Sequence, residues 1–157
     1  LLRRISALFF RLGWAMQAKV KWLDNNTFIG HSGSGHAVVF DGNKEGSVAA
    51  SPMEMVLMAA GACSSVDVVS ILKKARQQVV DCEVQLSAER AETIPKVFTK
   101  LHLHFDVTGI DLSEKQVERA VQLSADKYCS VSLMLAAAVT VSHSFSVKTA
   151  SFAPAAE

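Results

Sequence analysis

The chain has 157 residues, half of them apolar and a fifth charged, with a formal net charge of +1 at pH 7. That length suits a single domain with a sizeable core. The near-neutral balance excludes nucleic acid as a main partner, because duplex binding needs a basic face. Three cysteines, an odd number, exclude a secreted disulfide framework and point to a reducing cytoplasm with one or two working thiols.

Residues 1–15 are basic and apolar and do not begin with Met. Arg11 breaks the apolar stretch and no small-x-small cleavage site follows, which disfavours a signal peptide. A membrane-surface helix is a second option. The expectation is an upstream extension outside the fold, with Met16 as the start. No segment holds the roughly 20 apolar residues that span a bilayer. Residues 55–72 come nearest, but Asp67, Ser64, Ser65 and Ser70 lie within them, so no membrane association is expected.

From Gln17 the β-formers Val20, Trp22, Phe28, Val38, Val39 and Phe40 are separated by Asp24-Asn-Asn26 and Gly33-Ser-Gly35. They predict three short strands at about 17–23, 26–32 and 36–40. Ser51-Pro-Met-Glu54 is a helix start: Ser51 as N-cap, Pro52 at the first helical position, Glu54 closing a capping box. The helix runs to about residue 77, ending in cations that suit the negative end of its dipole. Residues 55–66 carry no charge on any side, so the helix should be buried all round, by sheet, by another helix or by a second subunit.

Residues 79–88 and 97–107 alternate as half-buried strands, with Pro95 in the connection. Ser113-Glu-Lys-Gln116 reads as another capping box, followed by a helical stripe of Val117, Ala120, Val121 and Ser124. A short helix is predicted at 130–138 and a last alternating strand at 139–147. Residues 149–157 are expected to be a disordered tail. The order β-β-β-α-β-β-α-α-β defines an α+β class, an antiparallel sheet wrapped on central helices, in one domain spanning 16–148.

Two cysteines carry the chemistry. Cys63 lies deep in the apolar helical run, where a thiol is usually a small hydrophobe. Cys129 falls where a second helix begins, and the positive end of that dipole favours thiolate. If the fold brings them together they form a redox pair. Cys82, on the apolar face of a strand, reads as packing. Glu54 is a tempting acid or base for Cys63, but nine residues of helix put the two about 14 Å apart on opposite faces. It is therefore a cap within one chain and reaches a thiol only across a subunit interface. Asp67 shares the face of Cys63 one turn on and needs a partner, either a polar group near the thiol or a backbone amide or water. His102 and His104 lie on one strand face and read as exposed polar residues rather than ligands. His143, on an otherwise apolar face, reads as a hydrogen-bonded core histidine or a base for a thiol. No phosphate loop, dinucleotide fingerprint or nucleophile elbow is present, and no metal or cofactor is expected.

At this point the stretch Pro52-Met-Glu-Met-Val-Leu-Met-Ala-Ala-Gly-Ala-Cys63 resembles the helix start and first cysteine of the OsmC/Ohr family, and Lys127-Tyr-Cys129-Ser-Val-Ser resembles its second cysteine segment. The strand order and the spacing of the cysteines agree, over about residues 16–147, and the pattern looks most like the YhfA-type OsmC-like branch. The resemblance implies an intertwined homodimer and a thiol-dependent reduction of organic hydroperoxides in oxidative-stress defence. Cys63 would be the peroxidatic thiol, Cys129 the resolving one, and an external dithiol the reductant. The dipole alone favours Cys129 as the more acidic thiol. The chain departs from the peroxidase members in three ways. Met53 stands where they carry a glutamate after the motif proline, with the acid one place on at Glu54. No arginine occurs between Lys19 and Lys74, where they use one to activate the thiol. Ser130 replaces the proline after the second cysteine. An alternative on the same fold is a non-enzymatic dimer that binds an apolar small molecule or senses redox state.

Overall fold

Asn25 takes a left-handed conformation (φ 41°), one that asparagine tolerates better than most residues, and this closes the first hairpin. It joins strand β1 (Ala18–Asp24) to β2 (Thr27–Ser32), which returns to β3 (Ala37–Asp41). The computed structural model describes residues 16–150, so the expectations for residues 1–15 and for most of 149–157 fall outside the described residues. The three strands form an antiparallel sheet in the order β1-β2-β3, with Trp22 opposite Phe28 and Ile29 opposite Val39. Buried Asp41 orders the following loop by accepting the N–H groups of Asn43 and Val48 at 2.8 and 2.9 Å. Those two donors, Val48 first, hold its carboxyl below the usual range.

The capping box at Ser51 is formed. Its N–H donates to the Glu54 carboxylate at 2.7 Å, and the Glu54 N–H donates to Ser51 Oγ at 3.3 Å. It opens helix α1 (Pro52–Lys74). The contacts divide the chain into two units, meeting between Glu54 and Met55.

In the second unit, α1 ends on a Schellman turn. Gln77 N–H donates to the Leu72 carbonyl and Arg76 N–H to the Lys73 carbonyl, with Arg76 left-handed at φ 59°. Strand β4 (Gln78–Arg90) pairs antiparallel with β5 (Phe98–Ile110). Helix α2 (Glu114–Leu123), a π-helical turn (Ser124–Tyr128) and helix α3 (Ser130–Ala136) then lead to β6 (Thr140–Thr149). The element order is the predicted one.

Strand β6 runs parallel to β5. The second sheet, ordered β4-β5-β6, is therefore mixed rather than wholly antiparallel. The two helices between β5 and β6 carry the chain back to its starting end, as a parallel crossover requires. The alternation of residues in β6 is the same for either direction.

Two further expectations, on membrane crossing and on the second capping box, are corrected. A single chain covers one face of α1 and leaves the rest to the second subunit that the expectation allowed. Ala60, Ser64, Val68 and Leu72, spaced one turn apart, are fully buried, while Val66 is 70% exposed and Val56 and Met58 are also exposed. By length and composition α1 is able to cross a membrane, contrary to the sequence expectation, though its buried stripe is the pattern of a helix packed on protein. The capping box at Ser113 does not form: its side chain makes no cap hydrogen bond, and its N–H donates instead to Gln77 Oε1 at 2.8 Å. The glutamine at the end of α1 takes the role expected of Gln116.

The core of this unit is the buried face of β5 (Leu101, Leu103, Phe105 and Val107), with Val68 and Leu72 of α1 and Val117 and Ala120 of α2. Gly109 permits close pairing of β5 with β4, since a β-carbon there would overlap the Gln78 carbonyl oxygen.

Candidate active site: a thiol pair beside a carboxylate

α1 presents Cys63 and Asp67 one turn apart on one face, as the (i, i+4) spacing requires. Cys129 arrives from the junction of the π turn and α3. Its N–H donates to the Ser124 carbonyl at 2.9 Å, the five-residue closure of the π turn. Such a turn inserts a residue into a helix and is frequent at functional sites. It leaves Cys129 extended (φ −70°, ψ 99°) as the N-cap of α3. The two cysteine sulfurs and a carboxylate oxygen of Asp67 all lie within 4.8 Å of one another.

Three buried serines tie this cluster together. Ser132 donates its N–H to Cys129 Sγ at 3.4 Å, and its hydroxyl lies 3.2 Å from that sulfur. Ser64 and Ser132 hydroxyls are 3.2 Å apart. Ser124 Oγ donates to the Ser64 carbonyl at 3.3 Å and reaches Asp67 Oδ2 at 3.4 Å. None of the three was singled out from the sequence as a site residue. The available signal was Ser124, a polar residue on the apolar stripe of α2.

The two thiols differ. Cys129 is fully buried and Cys63 half-buried. Burial pushes the Cys63 thiol up, and the neighbouring Cys129 and the negative charge of Asp67 add to that, against one favourable N–H from Val131. Burial opposes the thiolate at Cys129 as well, but hydrogen bonds from Ser132 Oγ, Ser64 Oγ, the Ser132 N–H and Cys63 outweigh it and hold this thiol below its ordinary range. The more acidic thiol is thus the one at the helix N-terminus, in the direction the dipole sets.

Glu54 is not part of the cluster. Its carboxylate is engaged at Ser51, which also holds it below the usual carboxylate range. Cys82 on β4 is half-buried, and burial pushes its thiol up, as a packing role requires. His102 and His104 are less exposed than expected, and both bond across the parallel pair: His102 to Ser142 and Ser144, His104 to Ser144, at 2.7–2.8 Å. His143 stacks on Phe105, but its buried Nε2 has no hydrogen-bond partner among the described residues, contrary to expectation. Burial accordingly lowers its basicity, with His102 adding to the effect.

The OsmC family model, described as OsmC-like protein, matches residues 42–144, which include both cysteines of the cluster. The chain belongs to the OsmC-like family. This OsmC-like protein is 61% identical over 132 residues to Protein YhfA of Escherichia coli strain K12, across 84% of its own length and 98% of that relative. A hypothetical protein from Aquifex aeolicus VF5 is 31% identical with a TM-score of 0.78, over 87% of this chain and 98% of the other. The organic hydroperoxide resistance protein OsmC of Legionella pneumophila shares the fold, with a TM-score of 0.66 at 19% identity, over 85% and 98% of the two chains.

Proposed function

We propose that this OsmC-like protein is a thiol-dependent hydroperoxide reductase of oxidative-stress defence, working as a homodimer in the cytoplasm. The observation that carries the proposal is the approach of Cys63 and Cys129 to within 4.8 Å. A disulfide needs about 2.05 Å between sulfurs, a modest local shift from this geometry. Both thiols are free, the reduced form from which the cycle starts.

Cys63, the more exposed thiol, meets the peroxide. Its thiolate attacks the terminal peroxide oxygen. The O–O bond breaks, the alcohol leaves with a proton, and Cys63 becomes a sulfenic acid. Cys129 then attacks the sulfenic sulfur, forming the disulfide and releasing water. An external dithiol returns two electrons and two protons and leaves as its own disulfide. The lowered pKa of Cys129 suits the second step, since it supplies a thiolate to the attack. Glu54, held at Ser51, enters this chemistry only from the partner protomer.

One observation favours the second reading, a non-enzymatic dimer that senses redox state or holds an apolar small molecule. Among the described residues no cation is in the set that governs the acidity of Cys63, and a raised thiol pKa slows attack. Mixing the protein with cumene hydroperoxide and a dithiol, and following peroxide loss, separates the two. The enzyme is expected to consume peroxide catalytically, to lose this in Cys63→Ser, and to accumulate a dimedone-reactive sulfenic acid in Cys129→Ser. A wild-type rate equal to that of free thiol in solution would leave only the sensor or binding role.

A further inference from the structure

A carboxylate beside two thiols is adverse for a redox pair. Its negative charge opposes the thiolate that must attack. Asp67 nevertheless sits on the face of Cys63, half-buried, with its carboxylate near both sulfurs. It forms no salt bridge among the described residues, and its hydrogen-bond partner there is the long contact to Ser124. A half-buried carboxylate calls for a counter-charge.

We propose that Cys63, Asp67 and Cys129 form a binding site for a thiophilic divalent cation, zinc foremost, in the reduced protein. The donors are two sulfurs and one oxygen, a set that suits zinc. Zinc binds thiolate at about 2.3 Å and carboxylate at about 2.0–2.2 Å, so two sulfurs on one tetrahedral ion stand about 3.8 Å apart. Separations within 4.8 Å therefore require a displacement of about 1 Å or less. Two ligands come from successive turns of α1 and the third from the start of α3, so the set is carried by ordered elements.

The outer contacts are those a ligand set needs. Ser124 orients Asp67, and Ser132 and Ser64 orient Cys129. Such partners tune metal affinity. Three protein ligands leave a fourth position for water. Binding exchanges charge without oxidation: the two thiols release their protons to solvent and the cation takes their place. Metal and disulfide require the same sulfur electron pairs, so each form excludes the other. The site does not depend on peroxidase activity, although it shares both cysteines with it.

Cobalt(II) added anaerobically to the reduced full-length protein is the direct probe. The expected result is a thiolate-to-cobalt charge-transfer band with the visible bands of a tetrahedral site, saturating at one ion per chain and abolished by zinc. Cys63→Ser, Cys129→Ser and Asp67→Asn should each weaken binding by more than the roughly 10- to 100-fold that loss of an outer partner costs, with Cys82→Ser unchanged. Cadmium-113 resonance on the unmutated chain, which counts sulfur ligands without any variant, should report two. Absence of the thiolate band, or a cadmium shift for one sulfur or none, overturns the site. Affinity retained in Asp67→Asn overturns the role of the carboxylate and hence the three-ligand set. Peroxide consumption measured on chelator-treated protein is a separate readout, so failure of either proposal leaves the other standing.

Discussion

Cys63 and Cys129 share a cluster but not an environment. The helix start and two serine hydroxyls surround one sulfur. Burial and a carboxylate oppose ionisation of the other. Thiolate absorbance followed against pH should therefore rise in separate steps, Cys129 first and Cys63 and Cys82 later. The first step should vanish in Cys129→Ser and move up in Ser132→Ala, and its persistence in Cys129→Ser would reverse the assignment. The sign for stability follows. A thiol whose folded pKa is lowered contributes stability that is full above its unfolded pKa and is lost as pH falls through the folded one. Cys63, whose pKa is raised, acts oppositely, and its thiol favours the fold least at high pH. The residue-level difference was partly legible in the chain, because Cys129 precedes a helical run. The part played by Ser64 and Ser132 was not, because their hydroxyls meet across 68 positions.

At the scale of elements, local rules were readable wherever the partners were local. Ser51 and Glu54 are three residues apart and cap α1 as expected. Ser113 and Gln116 have the same spacing, yet Gln77, 36 positions away, takes the backbone N–H. The π turn is equally hidden, since its residues, Ser124–Tyr128, read as ordinary helix formers and breakers. The close pairing of β4 and β5 gives a further test. Gly109→Ala places a methyl against the Gln78 carbonyl, an overpacking expected to cost about 1–3 kcal/mol or more. Urea denaturation should show a lower midpoint. An unchanged midpoint would mean that the two strands separate without penalty at this position.

Each of the two units leaves large apolar side chains exposed in a single chain: Trp22 at 60% in the first, and Val66 at 70% with Val56 and Met58 in the second. Exposed apolar groups gathered on one element suit an interaction surface, and the proposed homodimer would cover them. Sedimentation should give the mass of two chains, and Val66→Asp should shift the population to monomer. That substitution lies on an exposed position, so it should leave the fold of the chain itself largely intact. A wild-type chain sedimenting as a monomer at micromolar concentration would remove the dimer and with it any role for Glu54 from a partner.

The amino-acid order alone set the succession of strands and helices, the cap of α1 and the α+β class, because periodicity, capping and turn chemistry act over a few neighbouring residues. The direction of β6, the meeting of the two sulfurs and the placing of Asp67 beside them were decided in three dimensions. Each depends on groups about 40 to 70 positions apart, and no local pattern records how packing brings such groups together.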